Sequence, residues 1–198
     1  MSAGRWVDVA VAAVGLTVSA PFLLAACIWI RWDSPGSPFY GQTRIGRNGK
    51  PFTLFKLRSM RPVPELTSSI THGSGDPRIT RPGRWLRRTK LDELPQLYNV
   101  LKGDMALVGP RPEVPEFVAL YTEEQREVLR VRPGITDPVS LAHYDEAAEL
   151  QGQPQPEVYY REVLMPRKLA LQRAYLAQRT WRSDFGVVVA TIRRMLRF

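Results

Sequence analysis

The feature that most constrains this chain is an apolar segment near its amino terminus. Between Asp8 and Arg31 the sequence has 22 residues with no ionisable side chain other than Cys27, and Pro21 interrupts the segment. As a continuous helix these residues would measure about 33 Å, which is enough to cross the hydrocarbon core of a bilayer. The segment therefore predicts a membrane-associated helix.

Three interpretations of this segment are open. The first is a single helix that spans the bilayer. The second is a lipoprotein signal, because residues 24–27 (Leu-Ala-Ala-Cys) resemble a lipobox in which Cys27 would be lipidated. The third is a re-entrant helix that bends at Pro21 and leaves through the face by which it entered, since the proline ring clashes with the carbonyl of Thr17 and donates no hydrogen bond.

The charges around the segment bear on its topology. Seven basic residues follow it: Arg31, Arg44, Arg47, Lys50, Lys56, Arg58 and Arg61. Basic residues near membrane ends prefer the cytoplasm, so the larger part of the chain is expected there. A spanning helix would then export the amino terminus and Arg5, whereas a re-entrant helix keeps both flanks inside. We divide the chain into a membrane helix over residues 1–32 and a cytosolic-face domain over residues 33–198.

The overall charge points to an anionic partner. The chain has 28 Lys and Arg against 19 Asp and Glu, a formal net charge of +9. Such an excess favours nucleic acid, an anionic membrane surface or phosphorylated small molecules. Because Cys27 is the single cysteine, no intrachain disulfide can form.

The fold class predicted for the larger part is α+β and mainly helical. Apolar–polar runs at 39–45 and 52–57 flank Asn48-Gly49, which predicts a β-hairpin in a small core. Helices are predicted from Pro82, from near Pro95 to Leu101, over 115–131 and at the carboxyl terminus. The remaining segments are a loop and candidate lid at 61–77, a linker at 151–156, and a last helix with Val188, Val189, Ile192, Met195 and Leu196 opposite Arg193, Arg194 and Arg197.

That last helix is amphipathic and too short to span a membrane, so it either lies in the membrane interface or packs on the core.

A dense basic cluster precedes two adjacent carboxylates. Six cations lie within 13 residues directly before Asp92-Glu93, namely Arg78, Arg81, Arg84, Arg87, Arg88 and Lys90. The cluster is typical of a solvated surface, and Thr89 to Asp92 also fits a capping box at a helix start. Phosphate chemistry is the third interpretation, because Arg and Lys neutralise phosphate oxygens while a carboxylate holds Mg²⁺ or attacks phosphorus.

The residues that follow carry a resemblance to a known family. The run LDELPQLYNVLKGDMALVGPRP at 91–112 resembles the signature of the bacterial sugar transferases, monotopic phosphoglycosyl transferases that start the assembly of capsule, exopolysaccharide and glycoprotein glycans. Further blocks in the family's order lie at 39–46, 56–60, 76–80 and 132–136. The resemblance implies a re-entrant membrane helix, interfacial helices and a location on the cytoplasmic face of the bacterial inner membrane.

The resemblance also implies a reaction. It is the Mg²⁺-dependent transfer of a sugar-1-phosphate from a UDP-sugar to polyprenol (undecaprenol) phosphate, with release of UMP. In the family the aspartate of the dyad is the nucleophile, so that role falls on Asp92, which would also be the metal ligand, with Glu93 in support. Arg87 and Arg111 match family positions that contact the nucleotide sugar, and three further residues are carried over as substrate-binding. These are Lys56, Arg58 and Arg78.

The implied partners are the UDP-sugar, polyprenol phosphate and membrane lipids, with no nucleic acid, and a homodimer is compatible with the sequence. Three positions depart from the family pattern: Ala20 before Pro21, Ala106 in place of a common serine, and Asp137-Pro138 where many members have Gly-Trp. Two other classes stay open from the residues themselves. One is a membrane-tethered protein that binds nucleic acid or anionic lipid in a salt-dependent way, and the other is an exported lipoprotein.

Overall fold

The structure is a computed structural model that describes residues 3–61, 76–141, 149–150 and 152–195. Most of the loop predicted at 61–77 lies outside the described residues. The helices are α1 (Ala3–Asp33), α2 (Arg81–Thr89), α3 (Gln96–Lys102), α4 (Pro115–Val118), α5 (Pro138–Leu141), α6 (Pro156–Tyr159), α7 (Met165–Ala177) and α8 (Trp181–Met195). The strands are β1 (Phe39–Ile45), β2 (Pro51–Leu57), β3 (Ala106–Val108) and β4 (Gly134–Thr136).

Short helical turns complete the described part of the chain. They are 3₁₀ turns at Arg47–Gly49, Leu91–Glu93 and Gln125–Arg130, and a π-helical turn at Tyr160–Leu164 between α6 and α7. The described residues are therefore mainly helical with little sheet, as the sequence predicts.

The predicted hairpin is confirmed. Strands β1 and β2 pair antiparallel, with Phe39 opposite Leu57 and Ile45 opposite Pro51. Asn48 and Gly49 both have positive φ, 58° and 73°, in the turn that joins the strands. Asn and Gly tolerate this left-handed conformation better than other residues, which is why the pair predicts the turn. A second, parallel pair between β3 and β4 was not predicted.

The helices predicted at Pro82 and near Pro95 are confirmed as α2 and α3, but the single helix predicted over 115–131 is wrong. Helix α4 ends at Val118, and the chain resumes helical geometry only in the 3₁₀ turn Gln125–Arg130. The cause is a reciprocal pair: Gln125 N donates to Thr122 Oγ1 (3.2 Å), and Thr122 N donates to Gln125 Oε1 (3.0 Å). This capping box starts a new helical turn where the apolar pattern suggested continuity.

Helix α1 continues through Pro21 as one helical element. Among the described residues, it is the one helix long and apolar enough to cross a membrane, and only 11% of its apolar window is buried. A core helix of a soluble protein would be mostly enclosed, so this exposure is typical of a helix in contact with lipid.

Both ends of α1 are attached to the rest of the protein. Near its start, the buried Arg5 donates to the carbonyls of Val100, in the last turn of α3, and of Met105, just beyond that helix, and Leu107 N donates to Asp8 Oδ1 at 3.4 Å. These bonds attach the start of α1 to the end of α3 and to β3.

Near the end of α1, Ile30 is 1% exposed and packs in a cluster with Leu57 and Leu86. Just beyond it, Arg58 donates to the carbonyls of Ser34 (2.8 Å) and Pro35 (2.6 Å). Helix α1 therefore lies along one folded unit and contacts it at both ends.

Close packing of α2 against the end of the hairpin gives a stability prediction. A Cβ on Gly83 would lie 2.0 Å from the backbone oxygen of Ser59, whereas a Cβ on Gly186 in α8 would meet nothing within 4 Å. Gly83→Ala should displace α2 and lower the free energy of unfolding by about 1–3 kcal/mol. Gly186→Ala should be neutral or stabilising by up to about 1 kcal/mol, because alanine favours a helix. Thermal unfolding of the two variants in detergent measures the difference, and equal shifts would contradict the packing.

Candidate active site

The Asp92-Glu93 pair follows a sharp turn at the end of α2. Lys90 has a φ of 60°, the left-handed conformation, and its N–H donates to the carbonyl of Arg87 as the C-cap of α2. The 3₁₀ turn Leu91–Glu93 starts immediately afterwards. This reversal presents both carboxylates between α2 and α3.

The capping-box interpretation of Thr89 is wrong. Its hydroxyl belongs to the last residue of α2 and donates back to the carbonyls of Trp85 (2.9 Å) and Leu86 (3.2 Å). The 3₁₀ turn that contains Asp92 has no side-chain cap. The position of Asp92 is therefore not explained by helix capping.

Asp92 is a buried carboxylate with an unsatisfied oxygen. The residue is 7% exposed, and its Oδ1 has no hydrogen-bond partner among the described residues. Burial raises the pKa of this carboxyl and the neighbouring charge of Glu93 raises it further, while Lys56, Lys90 and Arg87 act in the opposite direction. A buried acceptor without a donor is costly, so such an atom at a cluster of cations is typical of a site that binds a ligand.

Glu93 has the opposite environment. Its Oε1 accepts from Lys56 Nζ (3.0 Å) and Arg111 Nη2 (2.6 Å), and its Oε2 accepts from Arg111 Nη1 (3.3 Å). Burial alone would raise the pKa of Glu93, but the charges of Arg111 and Lys56 outweigh burial and hold the pKa well below its ordinary value. Glu93 is thus a fixed anion that holds two cations in place.

The two cations come from distant parts of the chain. Lys56 lies on β2 and its side chain is mostly enclosed; burial lowers the pKa of its ammonium group, and the charge of Glu93 partly restores it. Arg111 follows β3, and 36% of its side chain is exposed. Since Arg111 faces solvent beside a buried dyad, it can contact both Glu93 and a substrate that enters from outside.

Two buried amides of α3, which the sequence analysis did not single out, support the site. Asn99 is fully buried; its Oδ1 accepts from Phe55 N (3.1 Å) and its Nδ2 donates to Thr53 O (2.7 Å). These bonds fix β2, and hence Lys56, against α3. Gln96 is 2% exposed, and its Nε2 has no hydrogen-bond partner among the described residues. Both amides lie on the inward face of α3, which the spacing of three residues could have indicated.

The remaining predicted site residues divide into two groups. Arg87 is half-buried on α2 and lowers the pKa of Asp92, so it belongs with Lys56 and Arg111 around the dyad. Arg58 instead holds the chain that leaves α1, as described above. Arg78 forms an ion pair at 2.6 Å with Asp76, which lies two residues earlier in the chain. The structure therefore brings three of the five predicted substrate-binding residues together.

Of the two adjacent carboxylates, Asp92 is the one that suits a divalent cation. The described residues contain no group of three or more His, Cys, Asp or Glu side chains that could enclose a metal ion. Mg²⁺ commonly uses one or two carboxylates together with substrate phosphates, and the unpartnered Oδ1 of Asp92 suits that arrangement. Glu93 is already shared between Lys56 and Arg111, which leaves Asp92 as the residue that fits the ion.

Two of the positions that depart from the family pattern, Asp137 and Ala106, are buried, and Asp137 has a local structural role. Asp137 is 2% exposed, and its Oδ1 accepts from Val139 N at 2.9 Å, so it caps the short helix α5. Ala106 is buried in β3, where it pairs with Gly134 of β4.

The opposite environments of the two carboxylates predict opposite effects on stability. Asp92 ionises at a higher pH when folded than when unfolded, so its charge opposes folding at neutral pH. Asp92→Asn should therefore raise the melting temperature at pH 7 by a few degrees.

Glu93 ionises at a lower pH when folded than when unfolded, so its charge stabilises the folded protein above its ordinary pKa, and this stabilisation is lost as the pH falls below that value. Glu93→Gln should lower the melting temperature at pH 7, by an amount that stays nearly constant down to the ordinary pKa of 4.5 and shrinks only as the pH falls below it.

Glu162→Gln is the control, because Glu162 is exposed and pairs with the exposed Arg161; little change is expected there. Shifts of the same sign at Asp92 and Glu93 at pH 7 would contradict the two environments.

Comparison with known proteins identifies the family of the chain. A profile of the family described as "Bacterial sugar transferase" matches residues 1–198. The chain is 36% identical over 197 residues to an undecaprenyl-phosphate glucose phosphotransferase of Komagataeibacter xylinus, a match over 96% of this chain and 35% of that protein. It is 42% identical over 143 residues to a UDP-glucose:undecaprenyl-phosphate glucose-1-phosphate transferase of Caulobacter vibrioides, over 67% of this chain and 51% of that protein.

A third relative is a UDP-N-acetylgalactosamine-undecaprenyl-phosphate N-acetylgalactosaminephosphotransferase of Aeromonas hydrophila, 38% identical over 144 residues. That match covers 70% of this chain and 34% of the relative. The chain thus spans about a third to a half of the length of these three proteins. Since the family profile covers it from end to end, the chain belongs to the bacterial sugar transferase family.

Proposed function

We propose that this protein transfers a sugar-1-phosphate from a UDP-sugar to polyprenol (undecaprenol) phosphate and releases UMP, through a covalent intermediate on Asp92. The observation that carries the proposal is the buried, unpartnered Oδ1 of Asp92 beside Lys56, Arg87 and Lys90. A carboxylate without a donor keeps its lone pairs available, and the surrounding cations attract a phosphate group to it.

In the first step, an oxygen of the Asp92 carboxylate attacks the β-phosphorus of the UDP-sugar. A bond forms between that oxygen and phosphorus, and the bond between the same phosphorus and the bridging oxygen of UMP breaks. UMP leaves with the electron pair of that bond, and Arg87 and Arg111 offset its developing charge. The raised pKa of Asp92 makes its ionised form a better nucleophile than an ordinary aspartate.

In the second step, an oxygen of polyprenol phosphate attacks the phosphorus of the acyl phosphate. The bond from Asp92 to phosphorus breaks, and the carboxylate is restored. One phosphoanhydride in the donor is replaced by one in the product, so no further energy source is needed. Glu93 accepts no phosphoryl group in this scheme; it holds Lys56 and Arg111 where the phosphates pass.

Mg²⁺ is the proposed cofactor, with Asp92 as its protein ligand. When bound, the ion neutralises charge on the phosphate oxygens of the donor. Glu93 is unsuited to hold it, because its oxygens already accept from Lys56 and Arg111.

We also propose that the protein is monotopic and lies on the cytoplasmic face of the bacterial inner membrane, with α1 re-entrant. The two ends of α1 contact the same folded unit through Arg5 and Ile30, and a spanning helix would separate those ends by a bilayer. One side of α1 remains exposed along its length, including Val18, Phe22 and Trp32. This exposed side suits contact with lipid.

We also propose that helix α8 has both of the roles that the sequence left as alternatives, packing on the core and lying in the membrane interface. Val187 is buried, and Thr191 Oγ1 lies 2.7 Å from Thr136 Oγ1 of β4. Trp181, Phe185 and Ile192 are exposed on the same helix. This arrangement supports a helix that packs on the domain and also rests in the membrane interface.

The two other classes fit the contacts less well. Cleavage before Cys27 would remove Arg5 and Ala12, which are buried against the folded unit, so an exported lipoprotein would lose part of its core. A protein that only binds nucleic acid or anionic lipid would have no need to bury Asp92 among the cations.

The names of the relatives specify either glucose or N-acetylgalactosamine, so both UDP-glucose and UDP-N-acetylgalactosamine are candidate donors. The reaction is proposed as the first membrane step of a surface polysaccharide or glycoprotein glycan.

The central test is the covalent step. Full-length protein in nanodiscs should release UMP from one member of a panel of UDP-sugars, and quenching before the acceptor is added should leave a phosphosugar on the peptide that contains Asp92. Asp92→Asn should lower UMP release by at least about 10³-fold and abolish the adduct, because the amide is not a nucleophile. Glu162→Gln, at an exposed carboxylate paired with the exposed Arg161, is the control and should behave as wild type. Glycolipid formation without an adduct on Asp92 would refute the mechanism.

Metal dependence is measured separately. Chelation with EDTA should stop UMP release, and added Mg²⁺ should restore it, because the donor diphosphate would otherwise meet the Asp92 carboxylate with its charge uncompensated. Circular dichroism recorded with and without EDTA should be unchanged, which separates a catalytic role from a structural one. Full activity in EDTA would remove Mg²⁺ from the proposal.

A further inference from the structure

An apolar groove lies between α1 and the segment that leads to the dyad. It encloses a cavity of about 160 Å³. One wall comes from α1, with Phe22, Ala25 and Trp29 among its members, and the opposite wall includes Trp85, Leu91 and Leu94. Among the residues that the structure describes, no charged side chain lines this groove. We name it the α1–α2 groove.

Several large apolar side chains in the walls of the groove are exposed. Phe22 is 66% exposed, Trp29 41% and Trp85 47%, although the two tryptophan rings contact each other with centroids 5.9 Å apart. Contiguous apolar surface of this kind marks a site that contacts a lipid or another apolar partner. The groove is also continuous with the exposed side of α1.

One wall of the groove includes residues of the segment that contains the dyad. Leu91 and Leu94 immediately flank Asp92-Glu93 in the chain, and both line the groove. Arg87 and Lys90 lie close enough to Asp92 to lower its pKa. A ligand with its hydrocarbon end in the groove would therefore have an anionic end beside the cations of the dyad.

We propose that the α1–α2 groove binds the first isoprene units of the lipid acceptor, next to its phosphate. This inference rests on the proposed function and deepens it, because it assigns a site to the acceptor. The groove is smaller than the 300–1,000 Å³ typical of small-molecule sites, so it holds only the part of the chain nearest the phosphate. The remaining chain passes along the exposed side of α1 into the bilayer.

The chemistry of the walls selects this occupant over an ordinary phospholipid. In polyprenol phosphate the hydrocarbon is attached directly to the phosphate, so an apolar wall can continue up to the cations. A phospholipid has ester and glycerol groups between its acyl chains and its phosphate. Those polar groups would lie against Leu91 and Leu94 without hydrogen-bond partners, which is unfavourable.

A pair of neighbouring substitutions tests the groove kinetically. Ala25→Trp adds a large side chain to the groove from an exposed position of α1. Leu24→Trp adds the same side chain at the adjacent exposed position, which does not line the groove. Ala25→Trp should raise the KM for polyprenol phosphate about tenfold, the loss expected when one apolar contact is excluded, and leave the acceptor-independent adduct on Asp92 unchanged. Leu24→Trp should leave both as in wild type.

A binding experiment separates this inference from the proposed reaction. Protein in nanodiscs is irradiated with a polyprenyl phosphate whose first isoprene unit has a diazirine, and a phosphatidylglycerol with a diazirine in its acyl chain is the comparison. The polyprenyl probe should label the peptides of Trp29 and Leu94, and Ala25→Trp should suppress that labelling. Labelling elsewhere, equal labelling by the phospholipid, or labelling unaffected by Ala25→Trp would overturn the groove assignment. If groove labelling holds while no UDP-sugar yields UMP, the reaction fails and the lipid site stands.

Discussion

The arrangement of the site depends on one shared carboxylate. Glu93 accepts from Lys56 on β2 and from Arg111 after β3, so a single anion joins two parts of the chain that are far apart in sequence. Without it, Lys56 and the partly exposed Arg111 would face each other with no anion between them. With it, their repulsion is offset, although the charge of Glu93 raises the pKa of the buried Asp92. The adjacent carboxylates thus differ in environment, since Glu93 fixes two cations and Asp92 keeps an oxygen without a hydrogen-bond partner among the described residues.

Helix α1 packs beside the candidate site. This helix contributes Ala12 to one buried cluster and Ala26 and Ile30 to another, and the second cluster also contains Leu57 and Leu86. Leu57 directly follows Lys56 on β2, and Leu86 directly precedes Arg87 on α2. The long apolar helix therefore packs against the residues that neighbour two cations of the site. The proposed transfer to a lipid phosphate needs Asp92 near the head groups, and this packing holds the cations around Asp92 close to α1.

The sequence predicted those parts of the fold that depend on local chemistry. Asn48-Gly49 specified the hairpin turn, and Pro82 and Pro95 marked the starts of α2 and α3, because these residues restrict their own backbone. Two parts of the fold were not predicted correctly, one because of competing local hydrogen bonds and the other because the partner strand is distant in the sequence. Thr122 bonds to Gln125 and divides a helix that looked continuous. The parallel pairing of β3 with β4 joins strands of three residues each, too short to show a pattern.

The residues of the candidate site show the same contrast between what the local sequence indicates and what depends on distant partners. Asp92, Glu93 and Arg87 stand out because charges cluster around the adjacent carboxylates, whereas Lys56 and Arg111 were selected through the resemblance to the family. Nothing in the local sequence indicates that Arg58 also holds the chain that leaves α1, since its partners there are backbone carbonyls 23 and 24 residues away.

The α1–α2 groove could not be found from sequence for a related reason. One wall comes from α1, whose apolar residues predict only a membrane-associated helix, and the other comes from residues about 60 positions later, which look like ordinary core. Only their juxtaposition places an apolar surface beside the Asp92-Glu93 segment, as the proposed binding of a lipid phosphate requires.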